Sequence, residues 1–184
     1  MTPVGTLEGR VLRWIAPYWN APHLVRTRDW ALELDPDAPE ALQLAALTHD
    51  MERHFSGGPH IDMAAQPPDD LDYLAEHAGR SATIVGEFLR AEGAGHGLIE
   101  HVQRLIRAHE LGGWYDADVL QAADSISFLE TNTELVKRWV RDGRCTPEWA
   151  RAKSRWMFER IQHERAVELA RPYYEEAAAG LEAV

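Results

Sequence analysis

Six residues have types suited to holding and using metal ions: His23, His49 and Asp50 side by side, His77, His109 and Asp124. An isolated His-Asp dipeptide is ordinarily a hydrogen-bonded pair, and one histidine on an apolar helix face is ordinarily a satisfied core group. Here the pair directly follows an almost wholly apolar run, ALQLAAL, where an unpaired carboxylate is costly. His23 is in register with Trp30 and Leu34, His77 with Ile84 and Phe88, and His109 with Val102, Leu105 and Ile106. Asp124 lies one turn after Leu120 and one turn before Phe128. Six such residues on inward faces suggest a shared positive charge at their centre. Imidazole and carboxylate without thiolate suit borderline or harder divalent metals such as iron, manganese, zinc or cobalt. The set is too large for one tetrahedral site, which favours a dinuclear centre in which a carboxylate such as Asp50 bridges the ions. Paired metals about 3.5–4 Å apart can activate water while clamping a phosphoryl group.

The elements that must position these residues all carry helical periodicity, and no run alternates apolar and polar residues over any length. An all-α fold is expected. A first long helix carries His23, Thr27, Trp30, Ala31 and Leu34 along one side and is broken by LDPDAP. The next is expected over Pro39 to Phe55, capped by Asp37 with Glu40 three residues on, carrying His49 and Asp50 in its second half and ended by Ser56 to Gly58. After a Gly/Pro-rich loop, Asp69 or Asp70 caps a helix with Leu71, Leu74, Ala78, Val85 and Phe88 inward, interrupted at AEGAGHG. A helix from near Leu98 to LGG, one over ADVLQAADSISFLETN, and a short one to Arg141 follow. The last runs from about Pro147, a favoured first-turn residue, and is bent or ended by Pro172.

Length and composition bound the rest. A chain of 184 residues, 45% hydrophobic and 27% charged, reads as one soluble globular domain over 1–184, and no linker divides it. Thirty acidic against 19 basic side chains give a formal charge of −11, which argues against a nucleic-acid polymer as partner. The one cysteine, Cys145, leaves no intramolecular disulfide and no thiolate cluster. The N-terminus lacks a cationic segment followed by an apolar one, and no stretch approaches the roughly 20 apolar residues that span a bilayer. A cytoplasmic location without membrane contact is expected.

The order His23, His49-Asp50, His77, His109, Asp124 resembles the HD-domain superfamily of metal-dependent phosphohydrolases. LAALTHD resembles its signature helix, EHAGRSATIVGEFL and VQRLIRAHE its next histidine helices, and VLQAADSISFLE its terminal aspartate helix. The resemblance covers about residues 20–130 and leaves the C-terminal helices, about 131–184, outside. It implies a single HD-type helical bundle of the dinuclear, additional-histidine branch. In that reading His23, His49, Asp50 and Asp124 hold one metal, and Asp50, His77 and His109 hold the second. The ions would be divalent, iron or manganese first, with zinc, cobalt or magnesium also compatible. The further Gly-Tyr-Pro motif of the cyclic-dinucleotide enzymes is absent.

Several residues are candidates for work around the metals. Arg53, one turn after Asp50, resembles the basic residue that often follows the motif and would orient a phosphate; the alternative is a solvated helix-end arginine. Arg80 and Lys153 are weaker candidates for the same role. His54 and His60 flank the FSGGP turn, which could form a mobile rim carrying a general acid or a substrate contact. His101 and His96 read as surface and loop. Trp14, Tyr18, Trp19, Trp114 and Tyr115 could line a pocket, although aromatic residues at helical spacing, Trp149 and Trp156 included, are more often core. The leading expectation is hydrolysis of a nucleotide or other small phosphate ester, with Asp50, Arg53 and His54 as catalytic groups and Arg53, His60, Arg80 and Lys153 on the substrate. The same ligands would also suit a mixed-valence diiron oxygenase, and a metal-stabilised binding module without catalysis is the third reading.

Overall fold

The apolar run ALQLAAL forms the central helix of an all-α bundle. A computed structural model describes residues 5–182, and among them the regular structure is helical throughout. The helices are α1 (Leu7–Ile15), α2 (Ala21–Leu34), α3 (Glu40–Thr48), α4 (Leu71–Ala91), α5 (His96–Ala108), α6 (Tyr115–Thr131), α7 (Thr133–Arg141), α8 (Pro147–Glu159) and α9 (Glu164–Glu182). A short 3-10 helix, Met51–His54, follows α3. No helix among the described residues is long and apolar enough to cross a membrane.

α3 packs against α1, α2, α5 and α6, so apolar side chains are needed on all its faces. Leu42, Leu44 and Leu47 are each 0–1% exposed on different sides of it. α6 is enclosed in the same way, buried from Ala117 through Leu129 apart from Asp118, by α2, α3, α8 and α9. α4 pairs with α5 and with the 3-10 helix, and α8 and α9 pack on each other beside α6.

Local chemistry sets most of the boundaries. The Asp70 carboxylate accepts from the Tyr73 amide at the start of α4, and Thr146 does the same for Trp149 ahead of Pro147 in the first turn of α8. Gly112 ends the α5 turn at φ 70°, a conformation side chains rarely adopt.

Four expectations change. The helix expected from Pro39 to Phe55 stops at Thr48, whose hydroxyl bonds back to the Leu44 carbonyl at 2.7 Å, and the chain tightens into the 3-10 turn. Its N-cap is Pro39 without a side-chain bond; the Asp35 carboxylate instead accepts from the Asp37 amide. The C-terminal helix is two helices split near Arg160, while Pro172 lies inside α9. Pro172 and Glu168, whose carbonyl loses its partner, are both exposed, so water can serve that carbonyl. In α4, the fully inward face is His77, Ser81, Ala82, Val85 and Leu89, with Ile84 and Phe88 flanking it.

Candidate metal centre

All six sequence-selected ligands meet between α2, α3, α4, α5 and α6. His23, His49, His77 and His109 are 0–2% exposed and Asp124 is 5% exposed. The imidazoles form a chain, with ring centroids 5.4 Å apart for His23 and His49, 5.0 Å for His49 and His109, and 5.6 Å for His77 and His109. His49 and Asp50 would diverge by about 100° on a regular helix. The break after Thr48 lets both offer donor atoms, with His109, to one group spanning no more than 4.8 Å.

The hydrogen bond that each Nδ1 makes decides which nitrogen each histidine presents. His49 Nδ1 lies 3.0 Å from the Ala46 carbonyl and His109 Nδ1 2.7 Å from the Ile106 carbonyl. A carbonyl can only accept, so both Nδ1 atoms carry the proton. Ser127 donates its hydroxyl to the His23 carbonyl at 2.9 Å and therefore accepts from His23 Nδ1, also at 2.9 Å. His77 Nδ1 donates to Glu52 at 2.8 Å. Every Nε2 is thereby turned toward the centre, the arrangement a metal-ligating histidine requires.

Three groups of donors could hold an ion: His23, His49 and Asp124; His49, Asp50 and His109; and His77, His109 and Glu110. The Nε2 atoms of His49 and His109 are buried without a hydrogen-bond partner among the described residues. Nε2 of His49 lies 3.3 Å from Asp124 Oδ1 and Nε2 of His109 3.4 Å from Glu110 Oε1, without hydrogen-bond alignment. Orphaned, inward-facing nitrogens beside ionised carboxylates are the donors a divalent cation satisfies, so the residues fit a metal.

Electrostatics compensate for burying so much charge. Burial would raise the Asp50 carboxyl, but Arg53, His77 and His49 together hold it well below the usual range. Asp124 is likewise held low against burial by His49 and Arg160, and Glu110 by His109 and Arg160. Burial lowers His49, yet Asp124 and Asp50 outweigh it and raise its pKa to about 9. Burial and Arg53 also oppose the charge on His77, and hydrogen bonds to Asp50 and Glu52 overcome them and raise its pKa. Arg160, at the C-terminal end of α8, reaches in to pair with both Glu110 and Asp124 and donates to Ser125 Oγ at 2.8 Å.

The centre forms the floor of a cleft of about 370 Å³ onto which His23, Asp50, Glu110 and Asp124 open. Arg53, His60 and Lys153 line it, as expected for substrate contacts. Arg53 is held by Asp50 Oδ2 at 2.9 Å and by the Tyr73 hydroxyl at 3.0 Å. Lys153 is half-buried in the cleft wall, and desolvation there lowers its pKa to about 8 despite the pull of Glu110.

Two candidates are not brought to the cleft. His54 stacks on Tyr18 and bonds through Nε2 to Asn20 Oδ1 at 2.6 Å, and it does not line the cleft. Arg80 clamps the backbone carbonyls of Phe55 and Ser56. Of the aromatic candidates, Trp19 and Trp149 line the cleft, Trp14 stacks on Phe88, Trp114 lies under Arg104, and Tyr115 is exposed. His101 is at the surface beside Asp116, while His96 opens α5 rather than lying in a loop.

Sequence reasoning missed Glu52, Glu110, Ser127 and Arg160. Glu110 adjoins His109 and Ser127 lies one turn after Asp124, so their positions carried a signal. Glu52 follows Asp50 by two residues across the helix break, and Gly58 packs so closely on it that a side chain there would collide with its carboxylate. Comparison with family models, with curated proteins and with solved structures finds no match to this chain.

Proposed function

We propose that the protein is a metal-dependent phosphohydrolase acting on a small phosphate ester through a dinuclear His/carboxylate site. The observation that carries this reading is the convergence of four inward Nε2 atoms with Asp50, Glu110 and Asp124 at the floor of a cleft that also presents Arg53 and Lys153. His23, His49 and Asp124 would hold one divalent ion, His77, His109 and Glu110 the other, with Asp50 joining the two sets. The resemblance to the HD superfamily favours iron or manganese. When bound, the ions supply Lewis-acid charge and a water ionised near neutral pH.

The chain's own residues account for binding and orientation. Asp50 remains ionised at any ordinary pH, so it serves as a charge-matching ligand rather than a proton carrier. Arg53, fixed by Asp50 and Tyr73, offers its guanidinium edge to phosphate oxygens in the cleft.

The test is elemental analysis of protein purified without chelator, followed by phosphate-release assays on a panel of phosphate esters with added Mn²⁺, Co²⁺ or Fe²⁺. Bound metal near two per chain with metal-dependent release, both lost in Asp50→Ala, is the expected result. No metal-dependent release from any ester overturns the proposal.

A further inference from the structure

The cleft has two unlike parts. Its floor is the donor set; its wall comes from the C-terminal helices, with Leu135 and Trp139 from α7 and Trp149, Lys153 and Met157 from α8. The last three lie four residues apart on one face of α8, so helical geometry alone sets an ammonium between two large apolar groups facing the metals.

Lys153 Nζ forms no hydrogen bond or ion pair with any described residue; it lies 4.4 Å from the Trp156 ring and 5.4 Å from the Phe128 ring, and Glu110 and Asp124 act on it only through space. An ammonium in such surroundings lacks the oxygen partners it would have in water. An anion entering the cleft supplies them. In the metal-free fold the floor carboxylates are paired with Arg53, Arg160 and the histidines, and divalent ions on the donor set would add positive charge that draws the anion further in.

Arg144, with its guanidinium 5.5 Å from the centre of the Trp139 ring, and His60 and Tyr73 also line the cleft, but the surface that α7 and α8 present beside Lys153 is mainly apolar. Trp149 spends its indole N–H on the Gln66 carbonyl at 3.0 Å and leaves its ring to the cleft. Phe128, Leu135, Trp139 and Met157 add apolar surface, and Asn132 is the one neutral amide among the lining residues. A sugar or nucleoside would leave several hydroxyls against these groups without partners, whereas an aryl or alkyl group would be buried favourably.

We propose that the substrate is a phosphate monoester with an aryl or alkyl body, whose phosphate bridges the metal centre and Lys153 while its apolar body lies against Trp139, Trp149 and Leu135. This rests on the phosphohydrolase reading for the choice of phosphate and narrows it to apolar esters.

The test uses non-hydrolysable probes on Mn²⁺-loaded protein, with benzylphosphonate and methylphosphonate compared by calorimetry. Benzylphosphonate is expected to bind about 10-fold or more tightly, Trp139→Ala to remove most of that preference, and Lys153→Met to weaken both probes about 10-fold at unchanged metal content, with Lys153→Arg restoring part of the loss. Equal affinities for the two probes, no binding of either, or unchanged affinities in Lys153→Met overturn the proposal. The wild-type comparison decides the apolar preference even where a variant fails to fold. Phenyl phosphate and glycerol phosphate turned over with equal kcat/KM overturn the apolar preference and leave the hydrolase reading standing. Selective benzylphosphonate binding without metal-dependent hydrolysis of any ester overturns the hydrolase reading and keeps the cleft assignment.

Discussion

Glu52 Oε1 lies 2.8 Å from His77 Nδ1, and both side chains are almost fully buried. The carboxylate fixes the ring and directs Nε2 at the candidate metal centre, where Asp50 Oδ1 is 2.8 Å away. Replacing Glu52 by Gln keeps the shape and removes the charge that makes His77 a better donor. Losses of this kind weaken metal binding about 10- to 100-fold. Chelator competition on Glu52→Gln should show that loss with an unchanged circular dichroism spectrum; wild-type affinity would assign Glu52 to packing alone.

His49 predicts two opposite pH trends. Its pKa is raised from 6.5 to about 9 in the metal-free fold, so its contact with Asp124 stabilises that fold fully below about pH 6.5, and this contribution is lost as pH rises through about 9. A metal must displace the proton on Nε2, so its affinity rises over the same window. Thermal melts of metal-free protein should fall from pH 6.5 to 9 while metal affinity climbs. Metal binding at pH 7 should release a proton that is absent well above pH 9. A His49→Gln variant that retains both trends would assign them to other groups.

Arg160 is the counter-charge for two buried carboxylates, and its side chain is 5% exposed. Arg160→Met leaves Glu110 and Asp124 short of positive charge and should destabilise the metal-free protein by about 3–5 kcal/mol. Bound divalent ions replace part of that charge, so the loss should shrink in the metal-loaded protein. Urea denaturation with and without metal measures the difference; equal losses in the two states would show that Arg160 acts by packing on Trp156, over which it sits at 4.5 Å.

Elemental analysis with electron paramagnetic resonance separates the chemistries open to this donor set. Stoichiometric manganese or iron with phosphate release is expected. A mixed-valence iron signal without phosphate release from any ester would point to oxygenase chemistry instead.

Much of the centre was legible because its ligands obey helical periodicity. His23 continues the stripe of Trp30 and Leu34, and His109 that of Val102, Leu105 and Ile106, so each histidine could be read as inward from its own helix. His54 lies outside that periodicity, and its expected place on a rim rests on its position beside the FSGGP turn alone. It adjoins the ligands in sequence, but the 3-10 turn swings it onto Tyr18 and Asn20, outside the cleft.

Taken alone, the sequence determined an all-α chain, its central apolar helix, and the residue types and order of six metal-suited side chains. Those are local properties, written in period, capping and composition. Only the tertiary structure decided that Glu110 joins the donors, that Glu52 and Ser127 orient His77 and His23, and that Arg160 and Lys153 enter from the C-terminal helices. Arg160 lies 36 residues from Asp124 and 50 from Glu110. No local periodicity reports a contact at that separation; it exists because α8 packs on α6, and that packing brings the C-terminal cations to the floor of the cleft.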